Sequence, residues 1–278
     1  MISGKTTLIA HLGYPTEGFK APLIYNPWFE KQGIDAVVVP MGVLSDDYRT
    51  FLPTLFKLTN LKGALVTMPH KIVTSELMDE VTPTAAIAGA CNAILKREDG
   101  TLLGDQFDGA GFVRGVLRKG KVLKGARVLV LGSGGVGCAI AASLAGAGVA
   151  EMMLFDTNPR SVTALAERLM QHYPALRVET GSRDPHGYDL IVNATPLGMK
   201  DDDPIPFDVD RIAPETFVGE VVMKTEYTPL LRAARDKGCL VQVGTDMLYE
   251  MIPAYLEFFG FGTATPEALR ETSLIPKS

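Results

Sequence analysis

Apolar residues along this chain fall into short runs separated by stretches of helical spacing. Ala36-Val37-Val38-Val39-Pro40 reads as a buried strand stopped by its proline, and Gly63-Ala64-Leu65-Val66-Thr67 reads as another. Between them, across 46–58, Tyr48, Phe51, Leu52 and Leu55 recur at the three- and four-residue steps of an amphipathic helix. A second series begins near residue 126. It has a strand at Arg127-Val128-Leu129-Val130-Leu131, a helix of small residues over 139–147 and a strand at Met152-Met153-Leu154-Phe155. A helix over 161–172 follows, with Val162, Leu165, Ala166 and Leu169 on one face. Leu190-Ile191-Val192, Phe217-Val218 and Leu240-Val241-Gln242-Val243 continue the alternation, which implies mainly parallel sheets covered by helices. The pattern predicts two α/β units with a boundary in 105–125, and then an apolar helix over 247–259 that packs back on the first unit.

Composition narrows the class of partner. The 278 residues suit two domains of about 100–200 residues each. A net charge of −5 leaves no electrostatic footprint for nucleic acid or an anionic membrane. Cys91, Cys138 and Cys239 are odd in number and far apart, which argues against both a disulfide framework and a structural zinc site. His11, His70, His172 and His186 lack metal-ligand spacing. The start, Met1-Ile2-Ser3-Gly4-Lys5, is not followed by the apolar run of a signal peptide, and no stretch of about 18 apolar residues exists. The expectation is a cytoplasmic protein that acts on a small molecule, with a homodimer as the oligomer to test.

The most specific local signal is Gly132-Ser133-Gly134-Gly135-Val136-Gly137, which fits G-x-G-x-x-G directly after a strand and at the opening of a helix. In that context the first glycine permits a tight turn, the second lets backbone approach a pyrophosphate, and the third allows close helix–strand packing. Amides at the helix start then face the anion. Asp156 ends the next strand, 19 residues after Gly137. A carboxylate there can accept from the ribose 2′- and 3′-hydroxyls and repels a 2′-phosphate, so the expected cofactor is NAD rather than NADP. The competing use of Asp156 as a helix cap is taken by Asn158-Pro159.

Several segments resemble the shikimate dehydrogenase family, in order along nearly the whole chain. Gly63 to Lys71 resembles its G-x-N-V-T-x-P-x-K segment, and Gly89-Ala90-Cys91-Asn92-Ala93 its G-A-x-N-T. Gly104 to Gly109 resembles G-x-N-T-D-G, and Asn193-Ala194-Thr195-Pro196-Leu197-Gly198-Met199 the N-A-T-x-x-G-M loop beside the nicotinamide. The resemblance implies an α/β fold: an N-terminal α/β substrate domain, a doubly wound Rossmann NAD(P) domain and a cleft between them. The corresponding spans are 1–107, 108–245 and a C-terminal helical segment 246–278. It carries the family's catalytic lysine onto Lys71 and its partner aspartate onto Asp108. Cofactor contacts fall on Gly132, Ser133, Gly134, Gly135, Val136, Gly137, Asp156, Thr157, Asn158, Asn193, Ala194, Thr195, Pro196, Leu197, Val221 and Gly244. Oxidation of a secondary alcohol sends a hydride to the nicotinamide and a proton to a base. A lysine in a cleft serves as that base where burial offsets the high intrinsic pKa of about 10.4.

The departures concentrate at the substrate positions. Gly13 to Asn26 aligns without a gap to G-N-P-x-x-H-S-x-S-P-x-x-H-N, whose two serines grip the substrate carboxylate. Phe19 and Ala21 stand there instead. Leu65 replaces the asparagine before V-T, Met223 the tyrosine of D-x-x-Y, and Met251 the glutamine after M-L-V-x. Thr67 and Asn92 match the family. Each polar substrate group buried without a partner costs about 1–3 kcal/mol. The expectation is therefore an NAD-dependent oxidoreductase on a cyclic hydroxy compound, shikimate-like or less polar. An authentic shikimate or quinate dehydrogenase remains open if Tyr14, Glu17 or Tyr249 supply replacement contacts. A non-catalytic NAD-binding sensor is opposed by the presence of both Lys71 and Asp108. A dehydrogenase of folate one-carbon units fits the Asn92, Asp108 and 193–199 segments less well.

Overall fold

The computed structural model describes residues 2–200 and 202–275. Two compact units divide them, one from residues 1–107 with 252–278 and one from 108–251. Among the described residues no helix is long and apolar enough to cross a membrane.

The first unit runs β1 (Thr7–Gly13), α1 (Pro22–Gln32), β2 (Ala36–Gly42), α2 (Ser45–Leu55), β3 (Leu61–Val66), α3 (Lys71–Glu76), β4 (Glu80–Val81), α4 (Pro83–Ala88), β5 (Ala93–Lys96) and β6 (Leu102–Asp105). Its sheet has the order β2-β1-β3-β5-β6-β4. β1 pairs in parallel with β2 and β3, whereas β5 is antiparallel to both β3 and β6. The short 93–105 hairpin carries too little periodicity to be read from the sequence. Pro40 does not stop its strand as expected: β2 continues to Gly42. β2 is the sheet's edge, where a residue without an N–H leaves no ladder bond unmade.

Side chains alternate across a strand, so each sheet face has its own set. Ala10 and Leu12 of β1 join Ala64 and Val66 of β3 in a core with Tyr48, Leu52 and Leu55 of α2. Ile9, His11 and Gly13 therefore face the other side, with Gly63 and Leu65, and His11 stands directly opposite Leu65 in the β1–β3 register. On that side Phe259 lies so close to Gly63 that an added Cβ would strike its ring. Phe259 belongs to a cluster of rings with Tyr25, Phe29, Phe107, Tyr255 and Phe261.

The second unit opens with α5 (Asp108–Arg118) and continues β7 (Arg127–Leu131), α6 (Gly135–Gly146), β8 (Glu151–Phe155), α7 (Pro159–His172), β9 (Arg177–Thr180), β10 (Leu190–Asn193), β11 (Phe217–Glu220), α8 (Pro229–Asp236) and β12 (Val241–Gln242). α9 (Gly244–Phe258) crosses the division between the units, and α10 (Pro266–Thr272) belongs to the first. The sheet is wholly parallel in the order β12-β11-β10-β7-β8-β9. The order reverses between β7 and β10, which defines the doubly wound Rossmann arrangement. Ligands of such sheets bind beyond the carboxyl ends of the strands at that reversal.

Small residues let helices meet backbone to backbone here. Gly109 in α5 packs so closely on α6 that an added Cβ would run into the Ala139 carbonyl oxygen and the Ser143 hydroxyl. The Ala139 carbonyl is helix backbone and cannot move as a flexible side-chain tip would. Gly109→Ala is expected to destabilise the protein by about 1–3 kcal/mol, the usual cost of overpacking. Denaturant unfolding measures it, and an unchanged midpoint and slope would contradict this packing.

Candidate active site

In the first unit the candidate site grows from the start of α3. Thr67 follows β3 and donates its N–H to the Leu12 carbonyl at 2.9 Å, which ties the strand end to β1. The His70 ring stacks on Tyr48 with centroids 3.9 Å apart, and its Nε2 lies 2.8 Å from the Val43 carbonyl. Thr74 donates to the His70 carbonyl and its hydroxyl shares a 2.7 Å bond with Tyr48. The Lys71 carbonyl accepts from the Cys91 N–H at 2.8 Å. Lys71 is therefore fixed by its backbone on both sides, while its side chain, 9% exposed, is buried.

Asn92 precedes β5 and is also buried. Its Oδ1 accepts from the Phe107 N–H at 2.9 Å, and its carbonyl accepts from Val66 and from the Tyr255 hydroxyl. Its Nδ2 is buried with no partner among the described residues. Leu65 and Ala21 are buried, and Thr67 and Phe19 half-buried. A Cβ on Gly13 would overlap Thr67 and meet the Phe19 ring at 2.8 Å, so the three crowd one place at the end of β1. Phe19 stacks on His11 with centroids 4.1 Å apart. Burial, and secondarily the positive charge of Lys71, push the His11 imidazole down to about 3. It is uncharged at neutral pH.

In the second unit the glycine turn has the shape a dinucleotide needs. Gly132 adopts φ +98°, which favours glycine, and a Cβ there would meet the Ala194 carbonyl at 2.7 Å. A Cβ on Gly137 would collide with the Gly132 carbonyl. Gly134, by contrast, has open space where its Cβ would be, ahead of the α6 amides. Asn193 staples the following loop: its Oδ1 accepts from the Thr195 N–H and hydroxyl, and its Nδ2 donates to the Leu197 carbonyl. Gly244, at the start of α9, sits against the backbone of Val221 and Val222. Thus Gly132 to Gly137, Asn193 to Leu197, Val221 and Gly244 gather at the carboxyl ends of the strands. Asp108 is buried as the first residue of α5, and Met223 and Met251 are half-buried.

Two of the buried polar groups that no motif singles out bear on the sites. One is His11. The other is Glu220, the last residue of β11 and the register partner of Asn193. Its Oε2 accepts from the Thr228 hydroxyl at 2.9 Å, and Thr228 also caps α8. Its Oε1 is buried without a partner among the described residues. Burial raises its carboxyl to about 7, against the smaller opposing effects of hydrogen bonds from Thr228 and Asn193. A charged residue inside an otherwise apolar strand was the available signal.

A Rossmann unit with an open glycine turn, and in the same chain a separate α/β unit holding a buried lysine, mark the architecture of a two-unit nicotinamide-dinucleotide oxidoreductase. The family model described as the shikimate dehydrogenase substrate binding domain matches residues 12–94, and one described as the ThiF family matches 114–171. The chain is 33% identical over 271 residues to the shikimate dehydrogenase (NADP(+)) of Acidiphilium cryptum, covering 97% of this chain and 96% of that protein. It is 36% identical over 256 residues to the shikimate dehydrogenase (NADP(+)) of Moorella thermoacetica, covering 89% and 85%. The crystal structure of shikimate 5-dehydrogenase from Listeria monocytogenes in complex with shikimate and NAD matches with a TM-score of 0.88, 25% identity and 97% coverage of each chain. The chain belongs to the shikimate dehydrogenase family of oxidoreductases.

The expected preference for NAD is corrected by these relatives, which are named for NADP(+). The physical reason lies in what Asp156 holds. One carboxylate oxygen accepts from the Ser133 N–H at 2.6 Å and hydroxyl at 2.9 Å, and the other from the Asn158 N–H at 2.8 Å. Burial alone would raise this carboxyl, but those bonds together hold it below its ordinary value. Its acceptors and charge serve the loop, so its position at a strand end did not establish a ribose contact.

Glu220 yields a pH test. Its folded-state pKa lies above the ordinary 4.5, so the folded protein binds this proton more tightly than the unfolded chain. Stability should be fully present below pH about 4.5 and fall as pH rises through about 7, by on the order of 3 kcal/mol. Glu220→Gln removes the titration and keeps an amide oxygen to accept from the Thr228 hydroxyl. Urea unfolding at pH 5 and pH 8 should show the variant gaining on the parent at the higher pH. Identical pH dependence in the two proteins would contradict the assignment.

Proposed function

We propose that this chain is an NADP(H)-linked oxidoreductase that interconverts a secondary alcohol and a ketone on a cyclic hydroxy compound, shikimate-like or less polar. The observation that carries the reading is Lys71: buried, clamped through its own backbone, and in the same unit as an unpartnered Asn92 amide and the half-buried Thr67. When bound, the nicotinamide supplies the hydride acceptor. The glycine turn 132–137 and the 193–197 loop are the parts of this chain that would hold the dinucleotide. Gly134 leaves room for its pyrophosphate and the α6 amides face the anion.

In the oxidative direction Lys71 Nζ takes the hydroxyl proton as the carbon loses its hydride, and returns a proton in the reductive one. The family resemblance gives Asp108 the part of the partner carboxylate that orients the lysine and the hydroxyl. Thr67 and Asn92 hold ring oxygens. The apolar positions set the substrate's character. Phe19 places a ring where the resemblance has a small hydroxyl, Ala21 and Leu65 offer no polar group, and Met223 and Met251 present adaptable apolar surface. A carboxylate brought against such a wall loses hydration without gaining donors. A sensor that no longer turns over finds no support among relatives named as dehydrogenases.

Lys71→Ala should lower kcat by about 10²–10⁴-fold, the usual contribution of a general base, with dinucleotide affinity nearly unchanged. Near-normal turnover by this variant on the best substrate of the parent would refute the assignment. Phe19→Ser and Ala21→Ser together should raise kcat/KM for shikimate more than the product of the single changes, because two donors serve one carboxylate. If the parent protein already handles shikimate as well as its NADP(+) relatives do, the apolar-wall reading fails.

A further inference from the structure

We propose that His11 is a specificity-determining residue of this substrate site, whose uncharged imidazole hydrogen-bonds an uncharged oxygen of the substrate near Lys71. The proposal rests on the dehydrogenase reading above for the location of the site, and it adds the chemical class of ligand. That class is a hydroxy compound carrying an ester, hydroxyl or carbonyl where shikimate carries its carboxylate.

The placement comes first. His11 faces the side of its sheet that holds Leu65 and Gly13, and Leu65 is its direct register partner. Gly13, two residues on, is where Thr67 and Phe19 converge. Phe19 in turn covers the imidazole face to face. The imidazole is close enough to Lys71 to feel its charge. It therefore stands among the positions that the family resemblance assigns to substrate, although no motif includes it.

The second observation is an unmet hydrogen bond. His11 is only 8% exposed, yet its Nδ1 is buried with no partner among the described residues. Buried polar groups in folded proteins are nearly always satisfied, and an orphan calls for an unseen partner. A histidine kept for packing alone would be better replaced by leucine. Phe19, itself half-buried, covers one face of the imidazole and leaves the in-plane Nδ1 to another partner.

The third observation is charge. Burial and Lys71 keep the ring neutral, so it offers one N–H and one lone pair and no positive charge. Such a group pairs well with a hydroxyl, carbonyl or ester oxygen. It cannot offset the desolvation of a carboxylate.

The test compares shikimate with its methyl ester, which differ at that one group. With NADP+, the parent protein should show kcat/KM for the ester at least about tenfold above that for the acid. His11→Leu should lower the ester value by about tenfold or more, mainly through KM, and leave the acid value within about threefold; His11→Gln, which keeps a donor and an acceptor, should recover most of it. The melting temperature of His11→Leu should equal or exceed the parent's, since no hydrogen bond among the described residues is lost. An ester-to-acid ratio that is the same in the parent and His11→Leu overturns the proposal. A direct readout guards against a variant that fails to fold: the ring ¹⁵N resonances of His11 in the parent, titrated with methyl shikimate to its solubility limit. A shift at those nitrogens supports the contact and their constancy overturns it. If neither compound is oxidised while the His11 resonances shift, the dehydrogenase reading fails and the binding assignment stands.

Discussion

A polar group can be buried in an α/β protein only where something pairs with it, and this constraint shapes both units. Side chains in the middle of these strands are almost wholly apolar. Polar ones enter near the carboxyl ends, where turns bring backbone donors and acceptors within reach. Asn92 spends its Oδ1 on the Phe107 amide and its carbonyl on Val66 and Tyr255. Glu220 shares its oxygen with the hydroxyl that caps α8. Of the buried groups left unpaired among the described residues, Asn92 Nδ2 and His11 Nδ1 lie in the first unit, with the residues that family resemblance gives to substrate.

The same constraint explains how the lysine is held. Lys71 opens a short helix with no side-chain cap. Its position depends on the His70–Tyr48 stack, the Thr74 hydroxyl and the Cys91 amide, which fix the turn from three directions. In the Rossmann unit the corresponding fixture is Asp156, whose carboxylate ties the glycine turn to the start of the segment that leads into α7. A residue that resembles a ligand by its place at a strand end is, in the structure, also a brace for the loop that precedes α6.

Long periodic elements were legible in the sequence. The strands at 127–131 and 152–155 and the helices carrying Leu52 and Leu165 formed where the spacing put them, because each buries one continuous apolar face. The glycine turn was legible because its chemistry demands glycine at fixed steps. β4, β5 and β6 were not, since two- to four-residue strands are made by their neighbours rather than by local preference. Pro40 misled because only the tertiary order reveals that its strand lies at an edge. His11 was weighed only as a metal ligand, where its spacing from the other histidines argues against it. Its meaning depends on Phe19, Leu65 and Lys71, which lie 8, 54 and 60 positions away in the sequence. Asp156 was read from its position alone, and its bonds to Ser133 and Asn158 became visible only with the loop folded.

Transfer of a hydride between a ring carbinol and a nicotinamide is the step on which the proposed function stands. The most direct measurement uses the protein with NADP+ and shikimate, or its methyl ester, deuterated at the ring carbinol carbons. The protein is kept at a concentration near that of the cofactor so that weak binding does not hide turnover. Deuterium is expected at C4 of the nicotinamide in the NADPH formed, seen by proton NMR, with none lost to solvent. Absence of NADPH, or NADPH without the label, would contradict it.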